Sequence, residues 1–482
     1  VYDAVGPYVA FDWFEIDYER YYVAVADEIS YPRVNIGSWR YQLNGFSQAD
    51  VFLYDISNPH LPIRITNATS NLVTDKYQVE FQYANLTSAR FYAVSSSAIR
   101  TPKSIALYSP PDLRSATNGA DYLIIAHADL LDTAQGLAEY RENQGLRVRI
   151  IDVQDLYNEF NEGIRHPIAI KNFLRYTFSS WTPPAPKYVV LVGDGHWNLL
   201  GTYSGTAPIL MPPNLGWVDN TLGEVDSSNL LGTIVGDDPL PDVLIGRIPV
   251  NSDLEFQNVI DKIIRYEQYP TAPWQLNNTF ISDDTPDEDG DFLAMANYII
   301  NNYIEPGFNS IGIFLDDYKD AGLCGTPTYV GGPSCPPVNA KIVETFNGIG
   351  TLLATYIGHG AEQNWARELI FLYHLDNPTN PNDMYYSDFD FLINDNQLPI
   401  ILSMDCMDGY WIGPRTQPSL AELFILTADH GAAATFSPTG YGSGLGHYSL
   451  MEGFFETVYQ YGIWELGTVA LGAKMELYTD GV

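Results

Sequence analysis

Hydrophobic and polar positions change rhythm near residue 115 of this 482-residue chain. Before that point, apolar and polar residues alternate in short runs such as YYVAVADEI, ADVFLYDIS, YQVEFQY, ARFYAVSS and SIALYS, separated by turn-forming clusters such as SNPH and TNATSN. A period of two predicts strands with one buried face, and no helical period competes with it, so this part reads as an antiparallel, sandwich-like all-β domain. The polar segment 109–120 reads as a linker. From Asp121 onward, unbroken apolar runs alternate with amphipathic stretches. YLIIAHA, LRVRIIDV, YVVLVGDG and PDVLIGRIPV are predicted strands. Helices are predicted for LLDTAQGLAEYRENQG, closed by Gly145, for the stretch from Pro167 to the breaker WTPPAP, and for LEFQNVIDKIIRYEQY. After a boundary at PTAPWQLN (270–277), the logic repeats with strands NTFISDD, SIGIFLDD, TLLATYIGHG, LPIILSMDC and GAAATFSP. Between and after them, FLAMANYIINNYI, NAKIVETFNGI and LAELFILTADHG are predicted helices, followed by one or two more from Ser449. Strand–helix–strand units joined by short loops predict an α/β architecture of doubly wound, mostly parallel sheets. The expected domains are 1–117 (β-sandwich-like), 118–272 (first α/β subdomain) and 273–482 (second α/β subdomain).

Composition narrows the classes open to such a chain. Hydrophobic content of 46% supplies ample core material and excludes a disordered chain. No stretch of about eighteen apolar residues exists to span a membrane. The 59 acidic residues against 24 basic ones leave a net charge of −35, a surface that repels nucleic-acid phosphates and favours cationic partners. The same acidity also serves solubility alone. The chain begins at Val1 without a signal peptide, as expected of a mature secreted or cell-surface product or a fragment. The sequons at Asn67, Asn85 and Asn277 permit glycans without requiring them.

Two apolar runs end in reactive side chains. Thr351–Ile357 leads into Gly358-His359-Gly360, and Leu398–Met404 into Asp405-Cys406, 47 residues after the histidine. Polar residues at the carboxyl ends of buried parallel strands lie where α/β sheets build their crevices, and a thiol with an imidazole is the equipment of a cysteine nucleophile and its base. Cys324 and Cys335, eleven apart in a loop rich in Gly and Pro, read as a local disulfide, which leaves Cys406 the odd one of three cysteines. An inert core thiol is the competing account of Cys406. Gly360 lets a backbone N–H approach an oxyanion unhindered, and the Cys406 N–H is the natural second donor. Asp283 and Asp284 close the strand NTFISDD and are the candidate orienters of the imidazole, or else a helix cap or solvated acids. Walker A, G-x-G-x-x-G, HExxH, CxxC and G-x-S-x-G signatures are all absent, so nucleotide-binding, zinc-protease and serine-hydrolase readings lack support.

Tyr-x-Gly-His-Gly at a strand end, followed by a second strand ending in Cys, resembles the caspase-type cysteine peptidases. YLIIAHADLLDTAQGLAEYRENQGLRV, YVVLVGDG, PDVLIGRIPV, IIRYE, ETFNGIGTLLATYIGHGAEQNWA, NQLPIILSMDCMDG and LGTVALGAKME stand in an order similar to that of the gingipain family, over roughly residues 120–482. The resemblance implies a caspase-like fold and a secreted cysteine endopeptidase that cleaves after Arg or Lys, with protein or peptide substrates and no catalytic cofactor. Carried onto this sequence, the nucleophile falls on Cys406, the base on His359, the acid partner on Asp284, and the oxyanion donors on Gly360 and Cys406. The substrate pocket falls on Asp291, Ile357, Asp405 and Tyr441. Calcium binding is also implied, with Asp287 and Asp289 as carboxylate ligands. Ile357 and Asp405 depart from the family pattern, and a carboxylate beside Cys406 would either raise the thiol pKa or add negative charge to the pocket. The family's final strand would lie on a separate, cleaved C-terminal chain or be lost, and self-association is open. The other reading is a catalytically silent relative serving as a surface, structural or adhesion protein.

Overall fold

The computed structural model describes residues 16, 18, 20–33, 36–85, 87–200, 202, 208–219, 223–284, 290–325, 333–374, 385–413 and 417–481. The chain divides into two units, Val1–Ser109 and Pro110–Val482. The first contains β1 (Glu28–Arg33), into which only the last two residues of the run YYVAVADEI fall, β2 (Gly37–Phe46), β3 (Val51–Asp55), β4 (Ile63–Ile65), β5 (Thr69–Val73), β6 (Lys76–Asn85) and β7 (Ala89–Ser95). They pair antiparallel in two sheets, ordered β1-β7-β3-β4 and β2-β6-β5. Leu43, Phe46 and Phe81 from one sheet meet Leu53 and Phe91 from the other in one core, as a sandwich requires. The expected strand SIALYS is not formed: 104–109 is irregular, and Ile105 and Leu107 are exposed. Conversely, β2, in which Tyr41, Leu43 and Phe46 are buried, and the polar β5 were not among the expected strands. Both are strands because β6 offers each of them a ladder edge.

The second unit opens with β8 (Tyr122–Ala126), α1 (Leu131–Asn143), β9 (Val148–Asp152), α2 (Val153–Phe160), α3 (Ile168–Ser180) and β10 (Tyr188–Val192). A hairpin of β11 (Leu215–Asp219) and β12 (Gly223–Asp226), the short α4 (Asn229–Gly232), β13 (Leu244–Ile248) and α5 (Asp253–Gln268) follow. Then come β14 (Asn277–Ser282), α6 (Phe292–Asn302), β15 (Asn309–Phe314), α7 (Leu315–Asp320), α8 (Pro336–Glu344) and β16 (Leu353–Ile357). A small antiparallel sheet of β17 (Gly360–Ala361), β18 (Asn364–Trp365), β19 (Phe371–His374) and β20 (Tyr386–Ser387) leads to β21 (Ile400–Met404). The chain closes with α9 (Leu420–Leu426), β22 (Ala434–Phe436), α10 (Gly444–Phe455) and α11 (Leu466–Asp480).

Two parallel sheets result, β13-β10-β8-β9 and β15-β14-β16-β21-β22. Helices cover both faces of each, which is why their strands read as continuous apolar runs. In β8, Leu123 and Ile125 pack with Phe173 of α3, whereas Ile124 and Ala126 pack with Leu137 of α1 and Phe256 of α5. In β16, Ala354 and Tyr356 join Ile342 of α8 and Phe424 of α9, whereas Leu353 and Ile357 face Ile299 of α6 and Phe454 of α10.

Two expectations need correction. The boundary lies at Ser109/Pro110 rather than 117, because Leu113 and Ala120 sit in the core of the second unit and Trp181 Nε1 donates to Leu113 O (2.9 Å). Nor do 118–272 and 273–482 separate into two units. Lys262 of α5 is buried, and its Nζ lies 2.8–3.0 Å from the Phe424, Ile425, Thr427 and His430 carbonyls, which share its three N–H donors and tie the first sheet's helix layer to the end of α9. The eight-residue α2 was also not anticipated. Asp152 caps it by accepting from Gln154 N (2.8 Å), and Leu156 and Tyr157 are buried beneath it.

Candidate active site

Register alone brings the thiol and the imidazole to one edge. β16 and β21 are neighbours with Ile357 opposite Met404, and the Gly358 N–H donates to Met404 O (3.2 Å), extending the ladder by one residue. His359 and Cys406 each lie two residues past that pair, at the carboxyl edge of adjacent parallel strands. On the other side of β16, β14 delivers Asp283 to the same edge, its N–H donating to Ile357 O (3.0 Å).

The backbone of His359 is gripped from three directions. Its N–H donates to Asp283 Oδ2 (3.0 Å), and its carbonyl accepts from the Tyr356 hydroxyl (2.5 Å) and from Ala366 N (2.8 Å). Its ring meets Phe292 edge-on, centroids 5.6 Å apart. Gly358 is glycine for want of space, since a Cβ there would collide with the Asp283 side chain and with the Tyr356 hydroxyl. Gly360 obeys the same rule: a Cβ would strike the Asp405 carboxyl and come 2.8 Å from the Cys406 carbonyl. Because Ala366 N bonds His359 O, Gly360↔Trp365 is a non-hydrogen-bonded pair of the β17–β18 ladder, and the Gly360 N–H points away from β18.

Asp283 accepts the backbone N–H of His359, and the adjacent Asp284 takes Lys319. Asp283 is 1% exposed and also accepts from Asp284 N (2.9 Å). Burial pushes its pKa from 3.8 up to about 7, against the pull of those two N–H donors and of the imidazole. Asp284, half-exposed, takes Lys319 Nζ at 2.7 Å, and Lys319 also reaches Glu368 (3.1 Å). Sequence reasoning had both acids at this strand end, and the resemblance chose Asp284. What distinguishes them is orientation, which the pattern of residues does not encode.

Cys406 is half-buried, with Sγ 3.8 Å from the Gly442 carbonyl, and Tyr441 beside that glycine is exposed at the rim. The turn that follows is strained: Met407 has φ +66° and is held by its N–H donating to Gly440 O (3.1 Å). Asp405 points inward and is fully buried, and burial, with the charges of Asp408 and Cys406 beside it, drives its pKa well above the carboxylate range. It lies beneath Gly360, with its side chain turned into the interior rather than toward a pocket. Ile357 is likewise buried, in the core against α6 and α10, so it presents no side-chain surface to a ligand. Asp291 is exposed and caps α6, accepting from Ala294 N (2.8 Å), one residue before the phenylalanine that touches His359. Sequence reasoning missed Trp365, whose Nε1 donates to the buried Asp408 (3.1 Å) beneath the site.

Cys324 and Cys335 are joined as a disulfide. Asp287 and Asp289, the expected calcium ligands, lie outside the described residues. Among the described residues, Asp283, Asp284 and Glu368 gather carboxylate oxygens within 4.8 Å of one another, but Lys319 already occupies two of them, so this trio does not fit a cation.

Residues 115–481 match the model of peptidase family C25. The chain belongs to peptidase family C25. Gingipain R2 of Porphyromonas gingivalis strain W83 is 24% identical over 324 residues, 66% of this chain but 35% of that protein. Gingipain R1 of Porphyromonas gingivalis is 24% identical over 332 residues, 67% of this chain and 26% of its own length. This C25 chain thus spans well under half of the curated relatives it matches. Its fold is that of the Arg-specific cysteine proteinase gingipain R, with a TM-score of 0.53, 18% identity and coverage of 77% of this chain and 75% of that one. The complex of Porphyromonas gingivalis RgpB pro- and mature domains aligns with a TM-score of 0.52 and 19% identity over 74% of this chain and 73% of that one. The α/β unit is therefore caspase-like, and the chain is a C25-type cysteine peptidase homologue.

Proposed function

We propose that this C25 member is an active cysteine endopeptidase that cleaves after Arg or Lys. The observation that carries the reading is the register of β16 against β21, which brings His359 and Cys406 to the carboxyl ends of adjacent strands, with Gly360 packed on the buried Asp405. In this mechanism His359 takes the thiol proton and Cys406 Sγ attacks the scissile carbonyl carbon. The oxyanion accepts from the Gly360 and Cys406 N–H groups. Collapse expels the amine, protonated by His359, and leaves a thioester that water hydrolyses with His359 again as base. Asp283 keeps the histidine loop in place rather than reacting.

Three features support a basic residue on the substrate. The chain carries a net charge of −35, the exposed Asp291 sits one residue from the ring that touches the base, and a structural relative is described as Arg specific. Export to an oxidising compartment is supported by the Cys324–Cys335 disulfide, and no helix among the described residues is long and apolar enough to cross a membrane. Arginyl and lysyl chloromethyl ketones test the whole reading. The expected result is an adduct on Cys406, found by peptide mass mapping, that disappears in His359→Ala. An intact protein with Cys406 unlabelled under reducing conditions would return it to the silent surface-protein reading.

A further inference from the structure

Behind the nucleophile loop lies a cavity that the peptidase reading leaves without a role. It has a volume of about 600 Å³ and opens between β13, β22, α9 and α11. Its size is that of a small-molecule site. Two basic side chains line it. Lys474 Nζ donates to Asn229 Oδ1 (2.9 Å), and among the described residues no carboxylate lies within ion-pair distance of it. Desolvation lowers its pKa to about 8, so it is still an ammonium ion at neutral pH. Arg247 lines the same cavity, its guanidinium stacked 3.9 Å over the Trp411 ring and 4.0 Å from Asp226. Asp226 is already satisfied by Asn214 N, Ser228 and Trp411 Nε1. Glu422, the other acid on the wall, caps its own helix with Ser419, and burial raises its pKa to about 8, which leaves it neutral. The remaining wall mixes hydroxyl side chains such as Ser227, Thr435 and Ser437 with apolar ones such as Ile245, Phe436, Leu450 and Leu477. A largely desolvated ammonium ion with no counter-charge is costly, and an anionic group entering the cavity would offset that cost.

The wall is shared with the reaction centre. Gly409, Trp411 and Ser437–Thr439 line the cavity. The same two segments are laced together by Gly409 N to Pro438 O (3.0 Å) and Met407 N to Gly440 O (3.1 Å), with the thiol facing Gly442 O. A ligand pressing on Trp411 therefore presses on the loop that carries Cys406.

We propose that this cavity binds a small organic monocarboxylate with an apolar body, its carboxylate at Lys474 and Arg247, and that occupation changes the reactivity of Cys406. The proposal goes beyond peptide cleavage, and its binding arm does not depend on it. The probe is hexanoate, with hexylamine and inorganic phosphate as controls, on the full chain at pH 7. Calorimetry should show one site for hexanoate and none for hexylamine. The rate of Cys406 alkylation by iodoacetamide should shift at least threefold on saturation. Phosphate binding as tightly as hexanoate would overturn the apolar part of the assignment. Lys474→Met keeps the side-chain bulk and should abolish both effects while leaving the ligand-free alkylation rate unchanged. Lys474→Arg, which restores the charge, should recover at least part of the binding and guards against misfolding of the methionine variant. No hexanoate binding, binding unaltered by Lys474→Met, or binding without a change in alkylation rate would each overturn the proposal.

Discussion

His359 owes its position to a neighbour that titrates. Asp283 is buried behind the histidine loop and accepts the His359 N–H, whereas Asp284 faces Lys319. Removing the carboxyl leaves the His359 N–H without its acceptor at a cost of about 1–3 kcal/mol, equivalent to roughly five- to a hundredfold in rate if the base is displaced. Asp283→Ala should therefore lower Cys406 alkylation and peptide turnover by that factor, while Asp284→Ala stays within about threefold, because Lys319 keeps Glu368. The opposite ranking would show that Asp284, as partner of the imidazole, matters more than the Asp283 grip on the His359 backbone. The raised pKa of Asp283 also sets a pH dependence. The native carboxyl keeps its proton up to about pH 7, whereas the unfolded one releases it near 3.8. In that window the native state binds more protons, so the stability from this group is full below about pH 3.8 and is lost as pH rises through about 7. Thermal melts of the wild type and Asp283→Asn at pH 5 and pH 8 check this: the wild type's advantage should shrink at the higher pH. Residue types and spacing made the Cys406–His359 pair legible in the sequence. The choice between adjacent acids was not, since two carboxylates one residue apart point opposite ways and only the fold decides which way is inward.

At the scale of elements, the hairpin after β16 fixes the histidine through one aromatic residue. Trp365 stacks on Tyr356 (centroids 4.7 Å apart), touches Phe371 (5.2 Å) and Phe424 (5.8 Å), and donates to Asp408. The next residue, Ala366, donates to the His359 carbonyl. Trp365→Ala should destabilise the protein by about 3–5 kcal/mol in urea unfolding. Trp365→Phe should cost less, about 1–2 kcal/mol, from the orphaned Asp408. In both variants Cys406 alkylation should slow under conditions where the fold is intact, and an unchanged rate would show that the hairpin does not position the base. The strands of the two parallel sheets were readable because burial on both faces leaves no polar positions to confuse the period. The small sheet β17–β20 was not. Its two- to four-residue strands carry no periodicity, and they exist because Trp365 and Phe371 are drawn under the main sheet.

Across the whole α/β unit, one buried ammonium joins the two sheet layers. Lys262 holds four carbonyls at the end of α9, and α9 in turn packs against Trp365. Lys262→Met preserves volume but strips those carbonyls of their donor, so a loss of about 3 kcal/mol in denaturant unfolding is expected. A change below about 0.5 kcal/mol would show that the apolar contacts alone join the layers. Such a link is invisible in the sequence, where Lys262 is one lysine in an amphipathic helix and α9 lies some 160 residues away. By itself, the sequence determined the all-β followed by α/β order, the buried parallel strands, the disulfide cysteines and the thiol–imidazole pair at two strand ends. These follow from local periodicity and from residue types whose chemistry is intrinsic. Only the tertiary structure decided that Asp283 rather than Asp284 grips His359, that Ile357 and Asp405 turn inward, and that residues 110–120 belong to the α/β unit. Each of those depends on which partners lie across a packed interface, and that is set by strand register and layer contacts between segments far apart in the chain.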